Sequence, residues 1–176
     1  MSVKPKIGTR GERGMNRFAA LIRPDGPTAA ILIRLAVGAV FLAEGIQKFL
    51  FPGELAAGRF ATIGIPAPGF FGPFAAVAET VCGALLLAGL LTRVAAVPMV
   101  VDMVLALALT KVPILWGGSA DKPKADGFWD MAHEARTDWA MLLGLVFLLA
   151  VGPGRWSLDA LLTRRASARE HRVEVP

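Results

Sequence analysis

The feature that most constrains this chain is the length of its apolar runs. Ala29 to Phe51 gives 23 mostly apolar residues, Pro73 to Thr92 gives 20 and Val94 to Trp116 gives 23. A bilayer's hydrocarbon core is ~30 Å thick and a helix rises ~1.5 Å per residue, so each run is long enough to cross. A fourth run, Trp139 to Gly152, has only 14 uninterrupted apolar residues, and Met131 to Asp138 must extend it into the interface. The expected fold is therefore all-α: an integral membrane four-helix bundle with spans at about 29–51, 73–92, 94–116 and 132–152. Composition agrees, since 55% of the 176 residues are apolar, against roughly 45–50% in soluble domains. A soluble globular enzyme, a disordered tail and a disulfide-stapled secreted domain are excluded.

The basic residues set an orientation. The segment 1–28 holds Lys4, Lys6, Arg10, Arg13, Arg17 and Arg23, and the C-terminal region holds Arg155, Arg164, Arg165, Arg169 and Arg172. Arg93 lies in the link between the second and third spans. The positive-inside rule puts these on the cytoplasmic side of a bacterial inner membrane, with both termini inside. Residues 1–28 read as a basic arm, in which Met15 to Ile22 suits a short interfacial helix, and residues 163–176 as a basic tail. Because the cations flank spans, membrane lipid is the expected partner rather than nucleic acid. A homo-oligomer is compatible with this pattern. The single cysteine, Cys82, rules out a disulfide or a four-cysteine cluster. With His133 and one tail histidine, no bis-histidine haem fits the bundle, and no metal or iron–sulfur cluster is expected.

Ionisable side chains inside spans are the informative residues, each costing ~2.5–3.5 kcal/mol at the bilayer centre. Arg34, Glu44 and Lys48 share one face of the first span, with Glu44 and Lys48 spaced as an i,i+4 pair. Glu79 of the second span lies at the depth of Glu44, ~9–10 Å below the outer end. Arg34 and Asp102 are expected to form a structural ion pair between the first and third spans. Lys111 falls on the opposite side of its helix from Asp102 on a regular count, so it is expected to snorkel outward unless Pro98 and Pro113 bend the helix and spoil that count. The fourth helix opens with His133 and Arg136 on one face, and Glu134 and Asp138 on another. Cys82, three residues after Glu79, reads as a small packing residue. One reading makes these charges registry devices for the helices. The other makes Glu79, Glu44 and His133 reactive groups, with Lys48, Gln47, Arg136, Glu134 and Asp138 holding a ligand.

The pattern Arg34…Gly38…Gly45-Ile-Gln-Lys48, then Ala78-Glu79…Gly83…Gly89-Leu-Leu-Thr-Arg93, then His133-Glu-Ala-Arg-Thr-Asp138 and Trp156-Ser-Leu-Asp159 resembles the DoxX family. The resemblance runs from about Ile31 to Leu162 and leaves out the N-terminal arm. It implies a four-helix membrane bundle among redox-associated proteins, whose relatives include the DoxD-type membrane subunit of thiosulfate:quinone oxidoreductase. It carries over no catalytic residues, so the site above rests on charge geometry alone.

Three functions follow as expectations. The first is a quinone-linked subunit for sulfur or thiol oxidation, with Glu79 and Glu44 accepting protons, Lys48 or Arg136 holding an anionic donor, and His133 donating to a quinone carbonyl. The second is a non-catalytic anchor or scaffold for a soluble redox enzyme. The third is a small-solute transporter, against which stands the lack of a visible inverted repeat.

Overall fold

Apolar stripes, and the small residues set within them, account for the architecture. The structure, a computed structural model, describes residues 26–173, with side chains described as far as 165. The interfacial helix expected over 15–22 lies outside the described residues. Among those described the chain is all-α. Three helices are long and apolar enough to cross a membrane: α1 (Ala30–Leu50), α4 (Pro68–Ala88), and α5 (Thr92–Ala106) with its continuation to Trp116. Two short helices, α2 (Pro52–Leu55) and α3 (Ala57–Thr62), fill the first connection. A further long helix, α6 (Gly127–Val151), precedes α7 (Leu158–Val173).

Buried positions on the long helices recur every three or four residues, the spacing that puts them on one helix face. On α1 they include Arg34, Val37, Phe41, Gly45 and Lys48, and on α4 Ala76, Glu79, Gly83 and Leu86. The two stripes meet through glycine. A Cβ on Gly83 would stand 2.5 Å from the backbone nitrogen of Leu42, and one on Gly45 would stand 2.4 Å from Thr80 Oγ1. The backbones therefore approach as closely as small residues allow in lipid, where packing replaces the hydrophobic drive. Phe41, Leu86, Met99, Leu145 and Leu148 fill the centre. Only 28–33% of each span's most apolar stretch is buried within the chain. The outward surface carries Leu32, Phe49, Phe74, Val97 and Val101, as contact with acyl chains requires.

The second span begins at Pro68, five residues before the expected start, because Pro68 rather than Pro73 occupies the first turn. Its end and the start of α5 also shift. Gly89 and Leu91 take left-handed φ of 67° and 49°, and Leu90 N–H bonds back to Leu85 O at 3.0 Å. That is a Schellman stop. Arg93, expected in the link, is already inside α5.

The third span is not a uniform α-helix. Leu107–Lys111 forms a π-helical turn and Val112–Trp116 a 3₁₀ turn. Pro113 has no N–H to give the preceding turn, and the backbone widens there instead. The wide turn holds one extra residue, which sets Lys111 back by about 100° relative to an α-helical count. Lys111 therefore turns inward and is buried, contrary to the outward snorkel expected of it.

The end of the bundle nearest Arg34 is tied by backbone groups. The Arg34 guanidinium donates to Pro153 O at 2.9 Å and Trp156 O at 2.7 Å. Asp159 accepts from Leu91 N at 2.9 Å and Thr92 N at 3.2 Å, capping α5 from a distant element. Ser157 caps α7 through Ala160 N and donates to Gly154 O. The expected Arg34–Asp102 pair does not form. Arg34 lies four residues into α1 and Asp102 ten into α5, so the two sit at levels ~6 and ~15 Å from this end.

The glycine seam gives a direct test. Gly83→Ala should lower the thermal unfolding midpoint in detergent, by about 1–3 kcal/mol of overpacking. Gly69→Ala, on the same helix with nothing within 4 Å of the added carbon, should leave it unchanged.

Candidate functional site

The seam fixes the position of an ion pair. Because Gly45 lets α1 lie against Thr80 and Ala76, Lys48, one turn further on, reaches Glu79 of α4. Its Nζ stands 2.5 Å from Oε2 and 2.6 Å from Oε1. Both side chains are nearly excluded from the surface, at 10% and 4% exposure. A pair so placed must hold its geometry, because removing either partner strands a charge. The i,i+4 pair of Glu44 with Lys48 expected from spacing is absent. Lys48 is held by a carboxylate on the neighbouring helix.

Asp102 of α5 joins the pair. Its carboxyl lies within hydrogen-bonding reach of Glu79 and within electrostatic reach of Lys48. Glu44 is exposed, yet it interacts electrostatically with Glu79, Asp102 and Asp138, which lie on three other helices. Helices α1 and α6 touch nearer the other end, where Gly144 packs against Val37. Glu44 lies seven residues beyond Val37 on α1, towards the Lys48 end of that helix.

A second group adjoins this one. Lys111, turned inward by the π turn, has its Nζ 3.8 Å from Asp138 Oδ2 and 3.9 Å from Glu134 Oε2. Lys122 reaches Glu134 at 3.3 Å from the second connection. Above them Arg59 of α3 binds Asp121 Oδ2 at 2.9 Å, and Ser119 Oγ donates to Asp121 Oδ1 at 2.6 Å. Burial opposes ionisation of Asp121, but these two donors overcome it and hold its carboxyl below the usual carboxylate range. The clamp joins the two connections across this end of the bundle.

The residues expected to act together are thus divided. Glu79 and Lys48 are in contact, and Glu134 and Asp138 share Lys111. Glu44 is exposed on α1. Gln47 is exposed on α1. His133 and Arg136 are exposed on α6, and the Arg136 guanidinium is turned back onto the His133 carbonyl oxygen. His133 lines a separate open hollow of about 470 Å³ with Asp121, Lys122, Lys124, Asp130 and Glu134. Cys82 packs against the apolar core. No group of three potential metal ligands occurs among the described residues. Asp102 was expected elsewhere, and Arg59 and Asp121 were not expected at all. Arg59 is the lone cation of residues 52–72, the one hint available.

Comparison with known proteins adds the following. The family model that matches is DoxX, over residues 29–112. The chain is 58% identical over 148 residues, 84% of its own length and 90% of the relative's, to the uncharacterized membrane protein Rv3486 of Mycobacterium tuberculosis. No solved structure matches.

Two measurements test this site. Lys48→Met should destabilise the fold by about 3–5 kcal/mol, because it leaves Glu79 buried and unpaired, while Lys48→Met with Glu79→Leu should recover most of that loss. A double-mutant cycle on thermal unfolding reads it. The Asp121 carboxyl has a lowered folded-state pKa, so its contribution is complete above the ordinary aspartate range and lost as pH falls through the lower folded value. Hydrogen exchange in residues 117–126 should accelerate below about pH 4, and Asp121→Asn should remove that dependence.

Proposed function

The chain belongs to the DoxX family and is a multi-pass membrane protein, and on that premise we propose that it is the membrane subunit of a quinone-linked system oxidising small thiol or sulfur compounds. In this reading α6 is a fourth span, both termini are cytoplasmic, and the Glu44 end of the bundle faces the outer leaflet of a bacterial inner membrane. The orientation is supported by Arg93, Arg155, Arg164 and Arg165, which cluster at the Arg34 end. Trp116, Trp129 and Trp139, all strongly exposed, suit the opposite interface.

One observation carries the proposal: a lysine and a glutamate in direct contact inside an apolar bundle, with Asp102 beside the glutamate and Glu44 in electrostatic reach of both acids. Such a set is electrically neutral when Lys48 is cationic and Glu79 and Asp102 hold one proton between them. It can then take up or release a proton without creating a large net charge. Oxidation of two thiols to a disulfide releases two electrons and two protons, and a quinone that takes up both becomes a quinol. A bound quinone would supply the two-electron acceptor. Glu79 and Asp102 would pass protons between the donor and the quinone oxygens, with Glu44 in electrostatic reach of both. His133 and Arg136, exposed on α6, have no part in this scheme.

Small molecules co-extracted with the gently purified protein test it by mass spectrometry. Membrane quinone should be retained above the level of an unrelated four-helix control, and Glu79→Gln should reduce it several-fold. Occupancy equal to the control would leave the chain as an anchor for a soluble enzyme.

A further inference from the structure

From the geometry of α7 we infer that this helix is a docking element for the anionic membrane surface, independent of any ligand near Glu79. Its first turn is fixed in depth by bonds to the link between two spans. Asp159 N–H donates to Gly89 O at 3.0 Å, and its carboxylate binds Leu91 N and Thr92 N. The link joins α4 to α5, both long enough to cross the membrane, so α7 starts at the level of the lipid interface. Asp159 and Ala160 are fully buried against the bundle.

The face turned away from the bundle is apolar first and basic afterwards. Leu158, Leu161, Leu162 and Arg165 fall within an arc of about 100° at 3.6 residues per turn. The three leucines are 42–52% exposed and Trp156 beside them is 69% exposed. Leucines and an indole at this depth are covered by the acyl boundary of the bilayer. Arg155, Arg164 and Arg165 are also exposed, at the height of the headgroups. They form no ion pair with an acid among the described residues. Their complement is a lipid phosphate, and an anionic lipid satisfies them better than a zwitterionic one. A protein partner would have to cover leucines that the bilayer already reaches.

The full chain in vesicles tests this by hydrogen–deuterium exchange of the segment 156–165. In phosphatidylcholine containing about a third phosphatidylglycerol, exchange should be slower than in phosphatidylcholine alone, with each arginine contributing roughly fivefold preference for the anionic surface. Arg155→Gln with Arg164→Gln and Arg165→Gln should abolish that difference while leaving exchange within α1 unchanged. High salt should have the same effect as the three substitutions. Leu161→Gln with Leu162→Gln should accelerate exchange in both lipids. Equal exchange in the two vesicle types, or protection that arises only when a soluble protein extract is added, would overturn the inference.

Discussion

The site half of this structure depends on the ion pair between Lys48 and Glu79. Two opposite charges inside an apolar bundle are tolerated only when they touch, and they touch only if α1 and α4 are closer than ordinary side chains permit. Gly38, Gly45 and Gly83 supply that closeness. Seam and ion pair are thus one device: the glycines set the distance, and the charges fix which turn of α1 faces which turn of α4. Asp102 and the Lys111 group gather around a geometry already determined by these two helices.

The two ends of the bundle handle charge differently. At the Arg34 end the buried charged groups are matched to backbone: Arg34 to two carbonyls, and Asp159 to two amides. Such bonds are short, satisfied and stationary. At the Glu79 end charges meet other charges: Lys48 pairs with Glu79, Arg59 with Asp121, and Lys111 and Lys122 with Glu134 and Asp138. The two ends thus satisfy charge by different means.

Much of this was legible in the sequence. Run length identified three of the expected spans, and the face shared by Arg34, Glu44 and Lys48 turned Arg34 and Lys48 inward but not Glu44. The expected partners were less accurate. Spacing along one helix proposed Glu44 for Lys48, whereas helix approach selected Glu79. Depth counting proposed Asp102 for Arg34, because it could not foresee that the connection after α6 would fold the carbonyl groups of Pro153 and Trp156 over the arginine. An α-helical count sent Lys111 outward, because nothing in a regular 100° step anticipates the wide turn before Pro113. Arg59 and Asp121 went unread for a simpler reason: a contact between two connections leaves no periodic trace.

The bonds of Arg34 span 119 and 122 residues of sequence, and those of Asp159 span 67 and 68. Synthesis runs from the N-terminus, so α1 enters the bilayer as a helix whose arginine has no acceptor yet made. The hairpin of α4 and α5 likewise waits uncapped while α6 is translated. A nascent chain halted before residue 153 holds a lone guanidinium in oil. Biogenesis is therefore completed from the last segment backward, and the final helix finishes the first one.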